Sequence, residues 1–233
     1  MVLDGTQVKT TLIVAAHPDD EILGCGDTIA GLAARGVQVH VAFMADGVFS
    51  RDGGHGTRRA RLTARREMAR QPRGILGITS INFGALPDNR LDTVALLDII
   101  EPIETLIGQH RPDIVFTHHA GDVNIDHRRV HEAGVTACRP QRRHCVRTLL
   151  FFEIPSSTEW QPSTSAPVFA PNWFLDISTT LERKLTAPDA YATELRPWPH
   201  PRSRRGIEHL VRWWRATIGV DAAEAFLLGR QLS

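Results

Sequence analysis

The chain has 233 residues, 42% of them hydrophobic and 23% charged, with a formal net charge of +1. That length suits one large α/β domain better than two, and the composition supplies a core without disulfide staples. The near-neutral charge excludes a global field of the kind that draws nucleic acid or an anionic membrane.

Residues 11–16 are short, apolar and partly β-branched, and a His-Pro breaker follows, so they read as a buried strand. A helix is expected over 21–35, with Asp19 or Asp20 near its cap and Gly36 just past its end. A second strand is expected over 37–44, then a Gly-rich loop over 46–57 holding Arg51, Asp52 and His55. The basic run 58–76 reads as a helix weakened by Pro72 and Gly74, and 80–83 as a short third strand. Leu91, Leu96, Ile99, Ile100, Ile103 and Ile107 give the segment 92–110 one apolar helical face. A fourth strand over 113–117, a helix over 127–138 and a fifth strand over 148–153 follow. Residues 155–172 form a Pro- and Ser-rich loop, 173–177 a sixth strand, and 178–192 and 203–217 two closing helices. Strands alternating with helices predict right-handed crossovers. The expected fold is therefore α/β, a Rossmann-like three-layer arrangement with a mostly parallel sheet and helices on both faces.

The three cysteines, Cys25, Cys138 and Cys145, are odd in number and form no C-x-x-C pair, which argues against a disulfide framework or a cysteine zinc site. The apolar run 12–16 is too short for a signal peptide, and no run approaches the ~18 apolar residues of a membrane span. A cytoplasmic enzyme without membrane insertion is the expectation.

Two polar constellations follow expected strands. His17-Pro18-Asp19-Asp20-Glu21 leaves the carboxyl end of the first strand, where open α/β sheets bind ligands. Three acidic side chains beside a histidine repel one another, and a divalent cation offsets that repulsion. The second, from Thr117 to His127, leaves the fourth strand, the expected neighbour of the first across the reversal of strand order. His17, Asp20 and one histidine from this segment make a two-His, one-carboxylate set that leaves a coordination position for water, as catalytic zinc requires. Iron and manganese accept similar ligands. His118, His119, His127 and His131 compete for the third place, and spacing does not choose among them.

With these residues assembled, the chain resembles the LmbE-like, or PIG-L-like, zinc N-acetylglucosaminyl deacetylases. The Ala-His-Pro-Asp-Asp-Glu run at 16–21 carries the likeness. It extends through Gly24, Gly26 and Thr28, the Asn-Ile-Asp-His-Arg-Arg-Val-His segment at 124–131, and Arg196-Pro197-Trp198-Pro199-His200-Pro201-Arg202-Ser203. The resemblance implies one Zn2+ per chain on His17, Asp20 and His127, with Asp19 as general base. It also implies hydrolysis of the acyl group from an N-acetylglucosamine-type amino sugar or a conjugate of it, and a homo-oligomer. The family often has a histidine three residues before its third ligand; this chain has Asn124, which donates a hydrogen bond to an oxyanion but delivers no ionisable proton. His200 is then a second candidate acid.

Asp122 and Asp126 are expected to brace metal-bound histidines, since such rings donate their other N–H to an acceptor. Arg51, Arg65 and Arg202 are the expected substrate contacts, and Trp160 and Trp173 lie near the long loop where a sugar ring would stack. Two alternatives stand beside this reading: an amidase for a sugar-thiol or other amide conjugate, and a non-hydrolytic nucleotide binder suggested by Gly24-Cys25-Gly26.

Overall fold

The computed structural model describes residues 2–3, 6–47, 57–141, 144–180, 191 and 194–232. A two-stranded hairpin of β1 (Val2–Leu3) and β2 (Thr6–Gln7) precedes the main sheet. The first five strands of that sheet are β3 (Thr10–Ala15), β4 (Gln38–Ala45), β5 (Ser80–Leu86), β6 (Ile114–His118) and β7 (Thr148–Phe152). They are joined by β8 (Trp173–Asp176) and β9 (Ala223–Gln231) in the order β5-β4-β3-β6-β7-β9-β8. β5 through β7 pair in parallel, and β9 pairs antiparallel with both β7 and β8. The order reverses between β3 and β6, so the loops after these two strands face one crevice.

The helices divide between the two faces, as the period-2 alternation of each strand requires. Ile13, Val39, Val41, Phe43, Phe116 and Phe152 turn toward helices α1 (Asp20–Ala34) and α2 (Arg58–Leu76). Leu12, Val14, Met44, Val115 and Phe151 turn toward α3 (Leu96–His110) and α4 (Ile125–Ala137). The apolar face read for 92–110 is the one that packs, with Ile99, Ile100, Ile103 and Ile107 buried; residues 91–93 form a separate 3₁₀ turn. Each buried Leu, Ile or Phe contributes ~1.5–3 kcal/mol relative to exposure. The last helix, α5 (Arg204–Ile218), sends Ile207 into the α1 side of the core. Among the described residues, no helix is long and apolar enough to cross a membrane.

Two expectations differ from what the chain does. The sequence predicts no strand at β9, because Ala-Glu-Ala-Phe-Leu-Leu-Gly-Arg-Gln has neither strict alternation nor β-branched residues; pairing with β7 on one side and β8 on the other overrides that weak propensity. Residues 178–180 of the helix expected over 178–192 form a turn, and most of its remainder lies outside the described residues.

α1 is broken at Cys25 (φ −151°, ψ 28°), so its second half begins with exposed backbone donors. The buried Glu224 of β9 caps them, accepting the N–H groups of Asp27 (3.1 Å) and Thr28 (2.7 Å). One glycine in this helix has a specific steric duty: a Cβ at Gly24 would stand 2.5 Å from the Phe152 ring. Gly24 and Gly26 therefore sit within a packed helix, not in a phosphate-binding loop.

Gly24→Ala should destabilise the fold by ~1–3 kcal/mol through overpacking against Phe152, measured as a lower denaturation midpoint at unchanged slope. A second expectation concerns the His40 ring, which stacks on His110 at 3.8 Å and meets Ser80 Oγ at 2.7 Å. Burial, with His110 adding to it, lowers the His40 pKa to about 4. The folded state thus takes up this proton less readily than the unfolded chain. The stability contribution is complete above pH 6.5 and is lost as pH falls from there toward 4. His40→Gln should flatten that part of the stability profile, and an unchanged profile would exclude His40 as its source.

Candidate metal centre

Because β3 to β6 run parallel, the segments after them leave the sheet at one edge: 16–21, 46–47, 87–89 and 119–124. At the crevice His17, Asp20 and His127 are all buried, with one ligand atom from each within 4.8 Å of the others. His17 Nδ1 lies 3.4 Å from Asp20 Oδ2, and His127 Nε2 lies 3.5 Å from Asp20 Oδ1. The turn that presents them is closed by His17 N–H donating to Asp20 Oδ2 at 2.8 Å.

The four candidate histidines differ in their hydrogen bonds. His118 is fully buried, but its Nε2 accepts the Ala16 N–H at 2.8 Å, so that lone pair is committed. Its ring stacks on His127 at 4.0 Å, and burial together with His127 pushes its pKa well below the usual value. His119 Nε2 meets Pro167 O (2.9 Å), and His131 Nδ1 meets His118 O (2.8 Å). His127 Nε2 has no hydrogen-bond partner, and neither has Asp20 Oδ1 opposite it. Two buried atoms with lone pairs, left without donors and aimed at one point with His17 Nδ1, fit a divalent cation.

Both histidines are oriented from behind. His17 Nε2 meets Asp126 Oδ2 at 2.9 Å and Asp88 Oδ1 at 3.1 Å. His127 Nδ1 faces Asp122 Oδ1 at 3.2 Å. Such carboxylate–imidazole contacts fix which ring nitrogen is left for a metal. Burial alone would lower the His127 pKa, but Asp20 and Asp122 bring it up to about 9. His17, Asp88 and Asp126 also stand close enough to hold an ion. However, the Asp126 oxygens already accept Asn89 N–H (2.7 Å) and Leu91 N–H (2.9 Å), which gives this trio an orienting duty. Asp122 is itself held by Asn124 N–H at 2.8 Å, Thr158 Oγ1 at 2.7 Å and the Ser157 hydroxyl.

Asp19 sits beside the ligand set with φ 117° and ψ −27°, a strained backbone for a residue with a side chain. Glu21 holds it there: one carboxylate oxygen accepts the Asp19 N–H and the other the Tyr191 hydroxyl, both at 3.0 Å. Arg202 Nη1 donates to Asp19 Oδ2 at 3.0 Å, while its Nε donates to Ser156 Oγ at 2.6 Å. Burial raises the Asp19 pKa to about 6, against the pull of Arg202. A carboxyl with that pKa exchanges protons near neutrality.

Of the remaining candidates, Arg65 is committed to Pro18 O and Glu194 Oε1, both at 2.7 Å, and lies 3.9 Å from Asp19. Arg65 and Arg202, the expected substrate contacts, both reach the turn at residues 18–19. The sequence shows a cation but not the direction of its side chain. Arg51 lies outside the described residues. Asn124 caps α4 through Oδ1 to Asp126 N–H, and its Nδ2 donates to Asn89 Oδ1 at 3.4 Å. His200 Nδ1 accepts Arg202 N–H at 3.1 Å, and none of its hydrogen bonds reaches the ligand set. Trp160 is 54% exposed and edge-on to His200, whereas Trp173 packs on Phe226. Sequence reasoning missed Asp88, Asn89, Ser157, Thr158, Tyr191 and Glu194. For Asp88 and Asn89 a signal existed: a Pro-Asp-Asn turn directly after a strand of the same sheet edge.

Comparison with known proteins identifies the family. Residues 12–138 match the PIG-L family model, described as GlcNAc-PI de-N-acetylase. The chain is 32% identical over 154 residues to the uncharacterised deacetylase YaiS of Escherichia coli K12, covering 64% of this chain and 76% of that protein. It is 26% identical over 194 residues to the diacetylchitobiose deacetylase of Thermococcus kodakarensis, covering 77% and 68%. The crystal structure of GalB, the 4-carboxy-2-hydroxymuconate hydratase of Pseudomonas putida KT2440, superposes with a TM-score of 0.78 at 21% identity, covering 97% and 98%. At that identity the likeness establishes the fold.

Zinc titration of metal-free protein should find one tight site per chain. His127→Gln should lose it, Asp122→Ala should weaken it by ~10–100-fold, and His118→Gln should stay near the parent. Parental zinc uptake by His127→Gln would rule out this donor set.

Proposed function

Since the chain belongs to the PIG-L family of de-N-acetylases, we propose that it hydrolyses the acyl–nitrogen bond of an N-acetylglucosamine-type amino sugar or a conjugate of it. The observation that carries this reading is a buried carboxylate, Asp19, held on one oxygen by Arg202 immediately beside a His-Asp-His donor set. The relatives named as deacetylases support the same chemistry. His17, Asp20 and His127 would hold one Zn2+, which when bound polarises the substrate carbonyl and lowers the pKa of water.

Asp19 takes a proton from water as the water oxygen attacks the acyl carbon. The Arg202 contact occupies Oδ2, so Oδ1 is the oxygen left to act as base. Glu21 keeps the Asp19 backbone in its strained conformation, so the carboxylate does not swing away during the cycle. Asn124, its Oδ1 committed to the helix cap, has Nδ2 to donate to the tetrahedral oxyanion. When the carbon–nitrogen bond breaks, its electron pair stays on nitrogen. Asp19 then returns the proton to that nitrogen, which yields the free amine and a carboxylic acid, and the acid loses its remaining proton to solvent. One group does both jobs because Asn124 has no ionisable proton to give. His200 would be the alternative donor.

Asp19→Asn should lower kcat by ~10²–10⁴-fold while zinc content stays at the parental level. Arg202→Met should lower kcat by about 10²-fold through misplacement of the base, with KM little changed. The assay is amine release from N-acetylglucosamine and its nucleotide, lipid and glycoside conjugates, with a chelator control. Asp19→Asn at parental activity would remove Asp19 as the base, and failure of every N-acyl substrate with zinc-loaded protein would remove the proposed reaction.

A further inference from the structure

The segment that follows β7 turns at Ser156, whose φ of 69° is strained for a residue with a side chain. Glu159 closes that turn. Its Oε1 accepts the Ser156 N–H at 2.6 Å, and its Oε2 accepts the Ser157 N–H at 3.1 Å. Residues 154–158 are all buried, whereas Glu159 is exposed. A surface carboxylate thus fixes the backbone of a buried turn, and these bonds reach neither a ligand residue nor Asp19.

Two branches leave the turn. On one, Thr158 Oγ1 (2.7 Å) and the Ser157 hydroxyl donate to Asp122, whose carboxylate faces His127 Nδ1 at 3.2 Å. On the other, Ser156 Oγ accepts Arg202 Nε at 2.6 Å, and Arg202 Nη1 donates to Asp19 Oδ2 at 3.0 Å. Trp160 adds to the second branch. Its ring stands edge-on to His200 at 5.9 Å, and His200 Nδ1 accepts the Arg202 N–H at 3.1 Å. Side chain and backbone of Arg202 are therefore both referred to the same turn. Ser156 and Ser157 are adjacent, so a rotation of the turn moves both branches together. From this geometry we infer that Glu159 is a positioning residue for both halves of the centre: through one turn it sets the direction of His127 and the placement of Asp19. The inference rests on the hydrolytic reading above and adds to it the residue that couples ligand to base.

Without Glu159, two N–H groups lose their acceptor and the strained turn relaxes. Glu159→Ala should weaken zinc binding by about ten-fold, the low end of the range for groups that orient a metal ligand. At saturating zinc it should also lower kcat by about ten-fold through misplacement of the base, with KM little changed. Glu159→Gln keeps one acceptor oxygen and should fall between the parent and Glu159→Ala on both scales. Ser156→Gly separates the branches, because glycine adopts φ 69° freely while Arg202 loses its acceptor. Its kcat should fall with zinc affinity near the parental value. Zinc affinity is read by competition with a chromogenic chelator, and kcat by amine release from N-acetylglucosamine and the conjugates named above. A denaturation midpoint is taken for each variant. A purely structural glutamate would lower that midpoint and leave zinc affinity and kcat per bound zinc at parental values; that result overturns the inference. A Glu159→Ala loss confined to one of the two readouts overturns it as well, and leaves the hydrolytic reading intact. Release of amine from none of the substrates by the zinc-loaded parent overturns that reading, and the inference with it.

Discussion

Asp20 is 1% exposed, and its two carboxylate oxygens face the imidazoles of His17, His118 and His127 at 3.4–3.5 Å. A carboxylate buried this deeply is unfavourable unless opposite charge or hydrogen-bond donors surround it. Burial acts to raise its pKa, yet the neighbouring His127 holds it well below the carboxylate range. Much of the surrounding construction follows from that one anion. His118 is kept neutral by burial and by the neighbouring His127, and its Nε2 accepts the Ala16 N–H. His17 and His127 keep one nitrogen each toward Asp20 and are pinned by carboxylates on the other. The chain thereby arranges alternating carboxylate and imidazole groups around a point where two buried atoms lack donors, the electrostatic complement of a small divalent cation.

Asp19, the proposed base, and His127, the proposed third ligand, are tied to one short segment. Ser157 and Thr158 donate to Asp122, which faces His127. Ser156, at φ 69°, accepts from Arg202, which holds Asp19. Glu159 in turn accepts the N–H groups of Ser156 and Ser157, fixing the turn itself. Positions 156–159 thus set the distance between the proton acceptor and the metal ligands. Such preorganisation suits a reaction whose efficiency depends on alignment within a fraction of an ångström.

The sequence was informative where one residue type in one pattern has a single physical reading. The apolar run before His17 reads as a buried strand, and the histidine ahead of the acidic cluster favours a binding edge over a simple helix cap. The neighbouring position of the fourth-strand loop followed from the reversal of strand order. What stayed hidden required knowing direction. Arg65 and Arg202 read as free cations because sequence does not disclose that one guanidinium turns to Pro18 and Glu194 and the other to Asp19. What distinguishes the four histidines is which ring nitrogens already meet the backbone of Ala16, Pro167 and His118, and spacing along the chain does not disclose it. β9 stayed hidden because its stability comes from its partners on both sides and not from its own residues.

The break in α1 at Cys25 places the helix that carries the ligand turn under the control of the other end of the chain. Glu224 caps residues 27 and 28 across sequence separations of 197 and 196, and Arg202 reaches Asp19 across 183. Contacts of that span close late, because loop entropy must be overcome before they form. As the polypeptide emerges during synthesis, the motif-bearing N-terminal segment can pair β3 with β4 and β6 well before its helix is capped or its base is gripped. Chains ending short of the last strand would therefore carry His17, Asp19 and Asp20 but lack the Glu224 cap on the helix behind them.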